Sequence, residues 1–469
     1  MKRLPLSLLA HWCGGELRGD DVVVDSINND TRSLMPGGLY VAIAGERFDG
    51  HDFAYDAAMR SASALLVGHA VEVDLPQVVV ADPQLALAHI ATQLQQERST
   101  RVIAITGSNG KTSVKTLLQS VLVRAGQTYM NPGNRNNEIG LPLAVIDAPD
   151  DADFAIYEMG AGKPGDIAYL AAIAVPDVAL VNNVGAAHLE RMGSLMGVAE
   201  TKGAILSALG ADGVAVINAD DAFAEYFATR AAGRRVLRFG LESSAEVTAR
   251  DVRAGDAGST FVLVTPQGEV PVALPWPGRH SVLNALAAAA LALACGASLP
   301  TIAAGLGSAA PVPGRHIVHA LPGGVVLIDD TYNANPASLA AAIETLSATG
   351  GASWLVLGDM RELGADAERL HAEAGRHAAA AGLERLYALG PLSAAAAAAF
   401  GNGARTFETH TALADALGQD LHARTPAPQE PSALRVLVKG SRGSAMERVV
   451  NTLLSTAASG PGEGTTHAA

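Results

Sequence analysis

A short glycine-containing segment holds the residues of this chain whose types best suit phosphate chemistry. Residues 106–113 have the order Thr-Gly-Ser-Asn-Gly-Lys-Thr-Ser. An apolar run at 101–105 precedes them, as expected of a strand, and apolar residues at helical spacing follow from Val114 to Leu122. Between a strand and a helix, glycines let backbone N–H groups turn toward an anion, and the helix N-terminus adds the positive end of its dipole. We therefore expect the segment to bind the phosphates of ATP.

The side chains and spacing of this segment refine the expectation. Lys111 can neutralise the outer phosphates, and Thr112 can offer its hydroxyl to Mg²⁺. Only two residues separate Gly107 from Gly110, whereas the common P-loop has four. A glycine-rich turn without function is the alternative, which the strand, the helix and Thr112 together disfavour. The residues expected to hold the nucleotide are Gly107, Ser108, Asn109, Gly110, Lys111, Thr112 and Ser113.

The composition of the chain limits the class of protein to which it can belong. A length of 469 residues, 49% of them hydrophobic and 17% charged, is typical of a globular protein with two to four domains. The net charge of −14 argues against a nucleic-acid partner but not against ATP, which needs only local cations. Cys13 and Cys295 form neither a disulfide framework nor a zinc motif, consistent with a reducing cytoplasm.

No segment of the sequence is expected to enter a membrane. Lys2 and Arg3 precede an apolar stretch at 4–10 that faintly resembles a signal peptide, but the stretch is short, and His11 and Trp12 follow it. We expect a first helix of a soluble domain there. The longest apolar run, 285–297, is too short to span a bilayer and predicts a buried alanine-rich helix.

Apolar runs that end in polar residues recur after the phosphate-binding segment. Near-continuous apolar strands that alternate with helices predict a parallel sheet covered on both faces. Ligands of such sheets lie beyond the carboxyl ends of the strands, where these polar residues fall. The runs and the residues that follow them are 154–157 with Glu158, 178–181 with Asn182, and 214–217 with Asn218.

The same pattern repeats behind a proline-rich hinge at 311–314, which predicts a further, smaller α/β domain. Residues before the phosphate-binding segment combine short strands with one predicted helix. The predicted domains are therefore 1–98, 99–313 and 314–458. The tail at 459–469, rich in glycine and threonine, is expected to be disordered.

Motifs spread along the whole chain resemble one family. They are, in chain order, Asp30-Thr31-Arg32-Ser33, residues 38–43 and 45–51, the shortened P-loop, residues 134–140, Glu158-Met159-Gly160, residues 187–190, Gly314-Arg315, and residues 330–336, 358–364 and 439–442. In this order and combination they resemble the Mur ligase family over residues from about 20 to about 455.

The resemblance implies an α/β enzyme of three domains. A small N-terminal α/β domain would hold the UDP end of a precursor, and a central P-loop domain with a parallel sheet would hold ATP and the reacting carboxylate. A C-terminal Rossmann-like α/β domain would add ATP contacts and close over the site. Members of the family activate a carboxylate as an acyl phosphate, and an amine then displaces phosphate to form an amide.

The resemblance also implies substrates, and alternatives remain. The run at 330–336 favours the branch of the family that joins D-alanyl-D-alanine to UDP-N-acetylmuramoyl-tripeptide in peptidoglycan precursor synthesis. We expect such a ligase to act as a monomer in the cytoplasm. A sister ligase that adds one amino acid, or one similar to folylpolyglutamate synthase, is the second hypothesis. The sister that adds the third residue typically carries Asp-Asn-Pro-Arg, which this sequence lacks. A P-loop switch or kinase is the third hypothesis, but it would not need two further α/β regions.

Roles for individual residues follow from the resemblance. Without further context, a glutamate at the place of Glu158 is more often an ordinary strand-end carboxylate. A histidine such as His188 is more often structural, and a lysine such as Lys202 is more often a solvated residue of a helix. The family places Mg²⁺ at the matching residues, together with Thr112, and Lys202 would serve as a carbamate formed with CO₂. The expected catalytic residues are Lys111, Glu158, His188, Lys202 and Arg315.

The remaining expected contacts divide between nucleotide and substrate. Further nucleotide contacts are expected from Asn284, Arg315, Asp330, Asn333 and Asn335. Substrate contacts are expected from Thr31, Arg32, Ser33, Lys439 and Ser441.

Overall fold

The computed structural model describes residues 1–45, 47–186, 189–255, 258–348, 350–424 and 434–459. Its first part is a small α/β unit with a mixed sheet of order β2-β7-β6-β5-β4 and a two-stranded pair, β1 and β3. The strands are β1 Leu4–Pro5, β2 Glu16–Arg18, β3 Val23–Val24, β4 Ile27–Asn28, β5 Leu39–Val41, β6 Ala64–Val67 and β7 Gln77–Val79; the helices are α1 Leu6–Cys13, α2 Ala54–Met59 and α3 Pro83–Gln96.

The N-terminal unit contains the α-helices α1, α2 and α3, whereas only one helix was predicted for it. Helix α3 begins as its sequence dictates, because the Asp82 carboxylate accepts hydrogen bonds from the N–H groups of Gln84 and Leu85, with Pro83 at the first helical position. These starting signals were present in the sequence. The helix buries Leu87 and Ile90 against the central part of the molecule.

The central part contains a six-stranded parallel sheet of order β13-β12-β11-β8-β10-β9 and a three-stranded antiparallel sheet, β14-β15-β16. The strands are β8 Arg101–Thr106, β9 Thr128–Met130, β10 Phe154–Glu158, β11 Val178–Val181, β12 Val214–Asn218, β13 Arg235–Phe239, β14 Thr248–Gly255, β15 Gly258–Thr265 and β16 Gly268–Leu274. The helices are α4 Lys111–Leu122, α5 Gly140–Asp147, α6 Asp166–Ala174, α7 Leu189–Met192, α8 Leu195–Ser207, α9 Ala224–Arg230, α10 Arg279–Ala294 and α11 Leu299–Gly307.

Alternating side chains of the parallel sheet fill two cores. On one face, Val102 and Ala104 of β8 pack in the same cluster as residues of α3, α5, α6 and α8. On the other face, Ile103 and Ile105 pack with α4, α10 and α11. The predicted two-sided parallel sheet and the buried alanine-rich helix are both present. Strands β8 and β10 are neighbours in register, so their carboxyl ends meet at one edge.

The C-terminal part is a second α/β unit with the sheet order β17-β18-β22-β19-β20-β21, parallel except for β17. The strands are β17 Ile317–Leu321, β18 Val325–Asp330, β19 Ser353–Gly358, β20 Arg385–Leu389, β21 Ala404–Phe407 and β22 Leu434–Lys439; the helices are α12 Pro336–Ala348, α13 Ala367–Ala380, α14 Ser393–Phe400, α15 His410–Ala423 and α16 Glu447–Ser459. Residues 460–469, most of the predicted tail, lie outside the described residues.

Within the described ranges, no helix combines the length and the apolar character that crossing a lipid bilayer requires.

Candidate functional site

The glycine-rich segment forms a tight turn between β8 and α4. Gly110 immediately precedes α4 and has φ of 79°, in the left-handed region. A Cβ at this position would lie 2.4 Å from Asn284 Oδ1, so only glycine fits. Lys111 Nζ donates to the carbonyl oxygen of Gly107 at 2.7 Å. Burial and the nearby Arg315 charge lower the pKa of Lys111, while Glu158 acts in the opposite direction. The loop has the geometry that phosphate binding needs.

The end of the neighbouring strand β11 supports the loop. Asn183 Oδ1 accepts from the backbone N–H of Asn109 at 2.8 Å, and Asn182 Nδ2 donates to the Asn109 carbonyl at 3.0 Å. Ser108 Oγ exchanges hydrogen bonds with the backbone of Gly185. The set of candidate residues drawn from the sequence lacks both asparagines, although their place directly after a central strand was a usable signal.

Asn284 reaches the same loop from α10. It is the sixth residue of this helix rather than a residue at its start, and it is buried. Its Oδ1 accepts from Asn182 Nδ2 at 3.1 Å. The structure thus brings Asn284 to the nucleotide loop, where it packs against Gly110.

Glu158 ends β10 and faces Thr112 across the loop. Its Oε2 accepts from Thr112 Oγ1 at 2.9 Å, and its Oε1 accepts from Asn136 Nδ2 at 2.9 Å. Burial alone would raise the pKa of Glu158, but the charges of Lys115 and Lys111 outweigh it and hold the pKa below its usual value. The carboxylate is therefore ionised and, with the Thr112 hydroxyl, offers the oxygen ligands that Mg²⁺ prefers.

Lys115 is a buried partner of Glu158 that the sequence analysis missed. Its Nζ lies 3.3 Å from Glu158 Oε2, and the two side chains are 3% and 4% exposed. The ammonium also donates to the carbonyl oxygens of Asn131 at 3.0 Å and Gly133 at 3.3 Å. Lys115 stands one helical turn after Lys111, a spacing that could have revealed it.

Lys202 lies inside the molecule, on α8, with only 2% of its surface exposed. Burial, reinforced by the Lys111 charge, sets its pKa well below the usual lysine value. The solvated-lysine interpretation is therefore wrong for this residue. His188, the other predicted metal ligand, lies outside the described residues. Among the residues described, no three His, Cys, Asp or Glu side chains cluster as a metal site would require.

The C-terminal unit contributes side chains to the same loop. Arg315 Nη2 donates to Thr112 Oγ1 at 3.0 Å, and its guanidinium lies 4.1 Å from the ring centroid of Tyr332. Asn335 Nδ2 donates to Asn109 Oδ1 at 2.7 Å. Residues more than 200 positions apart in sequence thus meet at the phosphate loop.

Asp330 and Lys439 form a buried ion pair on the same side. Lys439 Nζ lies 2.5 Å from Asp330 Oδ2 and also donates to the carbonyl of Asn333. Burial would raise the pKa of Asp330, but the Lys439 ammonium keeps it below its usual value. The nearby His280 is neutral, because burial lowers its pKa to about 4. The Lys439 ammonium pairs with Asp330 and Asn333, and Lys439 also lines the cavity described below, so its contact with substrate stays a prediction.

Ser441, the other residue of the C-terminal unit predicted to contact substrate, lies between two loops. Its side chain is buried, accepts from the backbone N–H of Arg361 at 2.8 Å and donates to the Ala334 carbonyl. It is not among the residues that line the cavity. Its hydrogen bonds support the two loops, and its contact with substrate stays a prediction.

The predicted substrate residues of the N-terminal unit lie elsewhere. Thr31, Arg32 and Ser33 form one short 3-10 helix, and none of them lines the cavity. Arg32 is 84% exposed and pairs with Asp30. These residues are available at the surface but are not brought to the phosphate loop.

A cavity of about 950 Å³ connects the elements described above. It runs from Gln84 on α3, past the phosphate loop and Glu158, to Asn335 and Ala341 in the C-terminal unit. Ser113, Asn284, Arg315, Asp330 and Asn333 also line it. A cavity of this size accommodates a nucleotide and a second ligand.

The fold and site define a three-domain protein with a phosphate-binding loop at a domain junction. The profile of the Mur ligase middle domain matches residues 105–292, and that of the Mur ligase glutamate ligase domain matches 314–442. The UDP-N-acetylmuramoyl-tripeptide--D-alanyl-D-alanine ligase of Escherichia coli (strain K12) is 43% identical over 454 residues, covering 97% of this chain and 99% of the relative. The chain therefore belongs to the Mur ligase family, which confirms the resemblance.

Solved structures agree with this assignment. A crystal structure of MurF from Acinetobacter baumannii has a TM-score of 0.91 and 32% identity, with 97% of this chain and 99% of that chain covered. MurF from Thermotoga maritima in complex with ADP has a TM-score of 0.80 and 28% identity, with coverage of 92% and 97%. The predicted α/β class with three domains is confirmed, whereas the exact domain boundaries remain a prediction.

Proposed function

We propose that this chain is an ATP-dependent ligase that joins D-alanyl-D-alanine to UDP-N-acetylmuramoyl-tripeptide, with release of ADP and phosphate, in peptidoglycan precursor synthesis. The names of relatives such as the Escherichia coli ligase support this substrate pair. The observation that carries the chemistry is the meeting of Lys111, Glu158 and Arg315 in one cavity. We further propose that the protein acts as a cytoplasmic monomer.

The chemistry requires two anions to approach each other. An oxygen of the tripeptide carboxylate attacks the terminal phosphorus of ATP, and ADP leaves with the electrons of the broken bond. The amine of D-alanyl-D-alanine then attacks the acyl carbon, phosphate leaves, and the amine gives up a proton. Lys111 and Arg315 would lower the charge repulsion in the first step, which is the main contribution a protein makes to phosphoryl transfer. The Ser113 hydroxyl and the loop amides would orient the phosphates.

Magnesium fits the oxygen donors found at the site. Thr112 and Glu158 would hold it, together with His188 and a carbamate of Lys202, and the ion would neutralise charge on the phosphates. Burial that lowers the pKa of a lysine favours its neutral amine, the form that adds CO₂ and loses a proton to become an anionic carbamate. This property of Lys202 supports the proposed modification.

The remaining roles are also proposals. Residues 1–98 would bind the UDP end of the precursor, with Thr31, Arg32 and Ser33 at the uridine or its diphosphate. Residues 99–313 would bind ATP, and residues 314–458 would complete the nucleotide site. There, Asp330, Asn333 and Asn335 would lie near the adenosine, with Asn284 behind the phosphate loop.

A coupled assay of ADP and phosphate release tests the function. We expect turnover with UDP-N-acetylmuramoyl-tripeptide that depends strictly on D-alanyl-D-alanine. Lys111→Ala should lower kcat about a hundred- to thousandfold, because one positioned cation is lost at the phosphates. Lys2→Ala, which removes an exposed ion pair, is the matched control and should leave kcat unchanged. Equal turnover with single amino acids in place of the dipeptide would refute the proposal.

A further inference from the structure

One end of the cavity extends beyond the nucleotide loop toward the N-terminal unit. We call it the α6 arm and define it by its lining residues Gln84, Gly162, Lys163, Tyr169 and Arg191. Gln84 belongs to α3 of the N-terminal unit, and Tyr169 belongs to α6 of the central sheet. The arm therefore leads from the proposed reaction centre at Glu158 toward the unit proposed to hold the precursor.

The α6 arm carries two cations, Lys163 and Arg191. Lys163 and Arg191 are exposed, and across the described ranges neither side chain forms an ion pair or a hydrogen bond. By contrast, Lys2 pairs with Glu97 and Arg369 pairs with Glu373. In a chain with a net charge of −14, two cations that line a cavity without forming an ion pair indicate a place for an external anion.

The turn before α6 brings the backbone next to Lys163 close to the side chain of Arg191. The Asp166 carboxylate accepts hydrogen bonds from the N–H groups of Gly162 at 2.8 Å and Lys163 at 2.9 Å, which fixes the turn before α6. A Cβ on Gly162 would lie 4.0 Å from Arg191 Nη1, so the guanidinium lies close to the backbone next to Lys163. The arm also contains the carboxylates Asp166 and Glu138. It thus presents both signs of charge within a short distance.

A site with both signs of charge matches the ammonium and carboxylate groups that an amino acid carries on one carbon. The reacting carboxylate of the tripeptide must lie at Lys111 and Glu158, so the arm receives another part of the peptide. If the third residue is a diamino dicarboxylic acid such as diaminopimelate, its side chain ends in an ammonium and a carboxylate. If it is lysine, its side chain ends in an ammonium alone. Lys163 and Arg191 would attract the carboxylate, which only the first side chain has, while Asp166 and Glu138 could pair with the ammonium of either.

We propose that Lys163 and Arg191 form a subsite for the free carboxylate at the side-chain end of the third peptide residue and select a diaminopimelate precursor over a lysine precursor. This proposal rests on the proposed function, because it assumes that the precursor peptide occupies the cavity. Arginine and lysine at an exposed subsite act through charge, and such charges discriminate between partners more than they add affinity.

Binding and turnover should be measured with both precursors. Calorimetry without ATP and dipeptide gives Kd for each precursor, and the coupled assay gives KM and kcat. We expect Lys163→Glu and Arg191→Glu each to raise Kd and KM for the diaminopimelate precursor about five- to tenfold, because charge reversal turns attraction into repulsion. The Kd for the lysine precursor should stay the same or fall, and kcat and the KM for ATP should stay within about twofold.

Two control variants sharpen the test. Arg253→Glu reverses an exposed charge on β14 away from the cavity and should change neither Kd. Arg191→Lys should keep most of the discrimination between the two precursors.

Two results would overturn the subsite: an equal rise in Kd for both precursors, or no rise for either. Failure of the ligase function is distinguishable from both, since the unmodified protein would then bind neither precursor in calorimetry and would show no turnover.

Discussion

At the scale of single residues, the site depends on how buried charges are compensated. Glu158 and Lys115 are almost fully buried and lie 3.3 Å apart. An isolated buried carboxylate would be protonated and unable to hold a cation. The Lys115 ammonium prevents this and also holds the carbonyl groups of Asn131 and Gly133. One lysine therefore links helix α4, strand β10 and the loop that supplies Asn136.

Removal of Lys115 should destabilise the central domain. We expect Lys115→Met to lower its free energy of unfolding by about 3 kcal/mol, because the change leaves a buried carboxylate without its nearest counter-charge. Urea unfolding followed by fluorescence measures this, in a background where Trp12→Phe and Trp354→Phe leave Trp276, which packs in the central core, as the sole reporter.

An exposed ion pair provides the control for this experiment. Lys2→Met removes a pair whose side chains are 45% and 44% exposed and should cost less than about 1 kcal/mol.

The pH dependence of stability gives a second check on the Lys115–Glu158 pair. Because the folded pKa of Glu158 is lowered, the pair stabilises fully above the unfolded carboxyl pKa of about 4.3 and loses its effect as pH falls through the folded pKa. A difference between wild type and Lys115→Met that stays constant down to about pH 2 would contradict this account.

At the scale of elements, the phosphate loop depends on close approach between backbone and side chains from other elements. Gly110 stands between β8 and α4, while Asn182 from the end of β11 and Asn284 from α10 fill the space that a Cβ would need. The loop conformation is thus set by tertiary packing as well as by its own glycines.

Gly110→Ala should disrupt nucleotide binding. The new Cβ would meet Asn284 Oδ1 at 2.4 Å and Asn182 Nδ2 at 2.5 Å, so the loop must move. We expect the Kd for ATP with Mg²⁺, measured by calorimetry, to rise by at least about tenfold. Gly233→Ala is a close match as a control, since Gly233 has φ of 81° but no atom within 4 Å of a Cβ. It should lose about 1 kcal/mol of stability with an unchanged Kd. Equal Kd values for the two variants would show that the close approach is unimportant.

At the scale of the whole molecule, the C-terminal domain completes the site by contact across the domain junction. Asn335 donates to Asn109 of the phosphate loop, and its Oδ1 accepts from the Ser338 N–H at the start of α12. One side chain therefore performs two tasks, one within its own domain and one between domains.

A shorter side chain should separate these tasks. Asn335→Ser keeps a capping oxygen for α12 but cannot reach Asn109. One lost hydrogen bond of about 1 kcal/mol shifts the balance of closed and open forms about fivefold. We therefore expect a larger radius of gyration by small-angle scattering of the ligand-free protein, with an unchanged thermal midpoint. Asn335→Ala, which removes both contacts, should also lower the midpoint. Identical scattering of Asn335→Ser and wild type would show that this contact does not hold the domains together.

The sequence alone determined the family, the α/β class and the position of the phosphate loop. These depend on local patterns: glycines and Lys111 between a strand and a helix, and apolar runs that end in polar residues. The antiparallel sheet β14-β15-β16 was not predicted, although side chains of β15 alternate in burial as a half-buried strand requires. The helices before β8 were underestimated as well.

The tertiary structure decided which side chains meet. Lys115 was not among the residues predicted for the site, and its burial beside Glu158 results from the packing of α4 on β10. Ser441 carried a motif position but turned out to support loops. Lys163 and Arg191 lie 28 positions apart in sequence, and only the folding of α6 and α7 around one cavity brings them together. Local patterns specify elements, whereas contact and burial depend on distant parts of the chain.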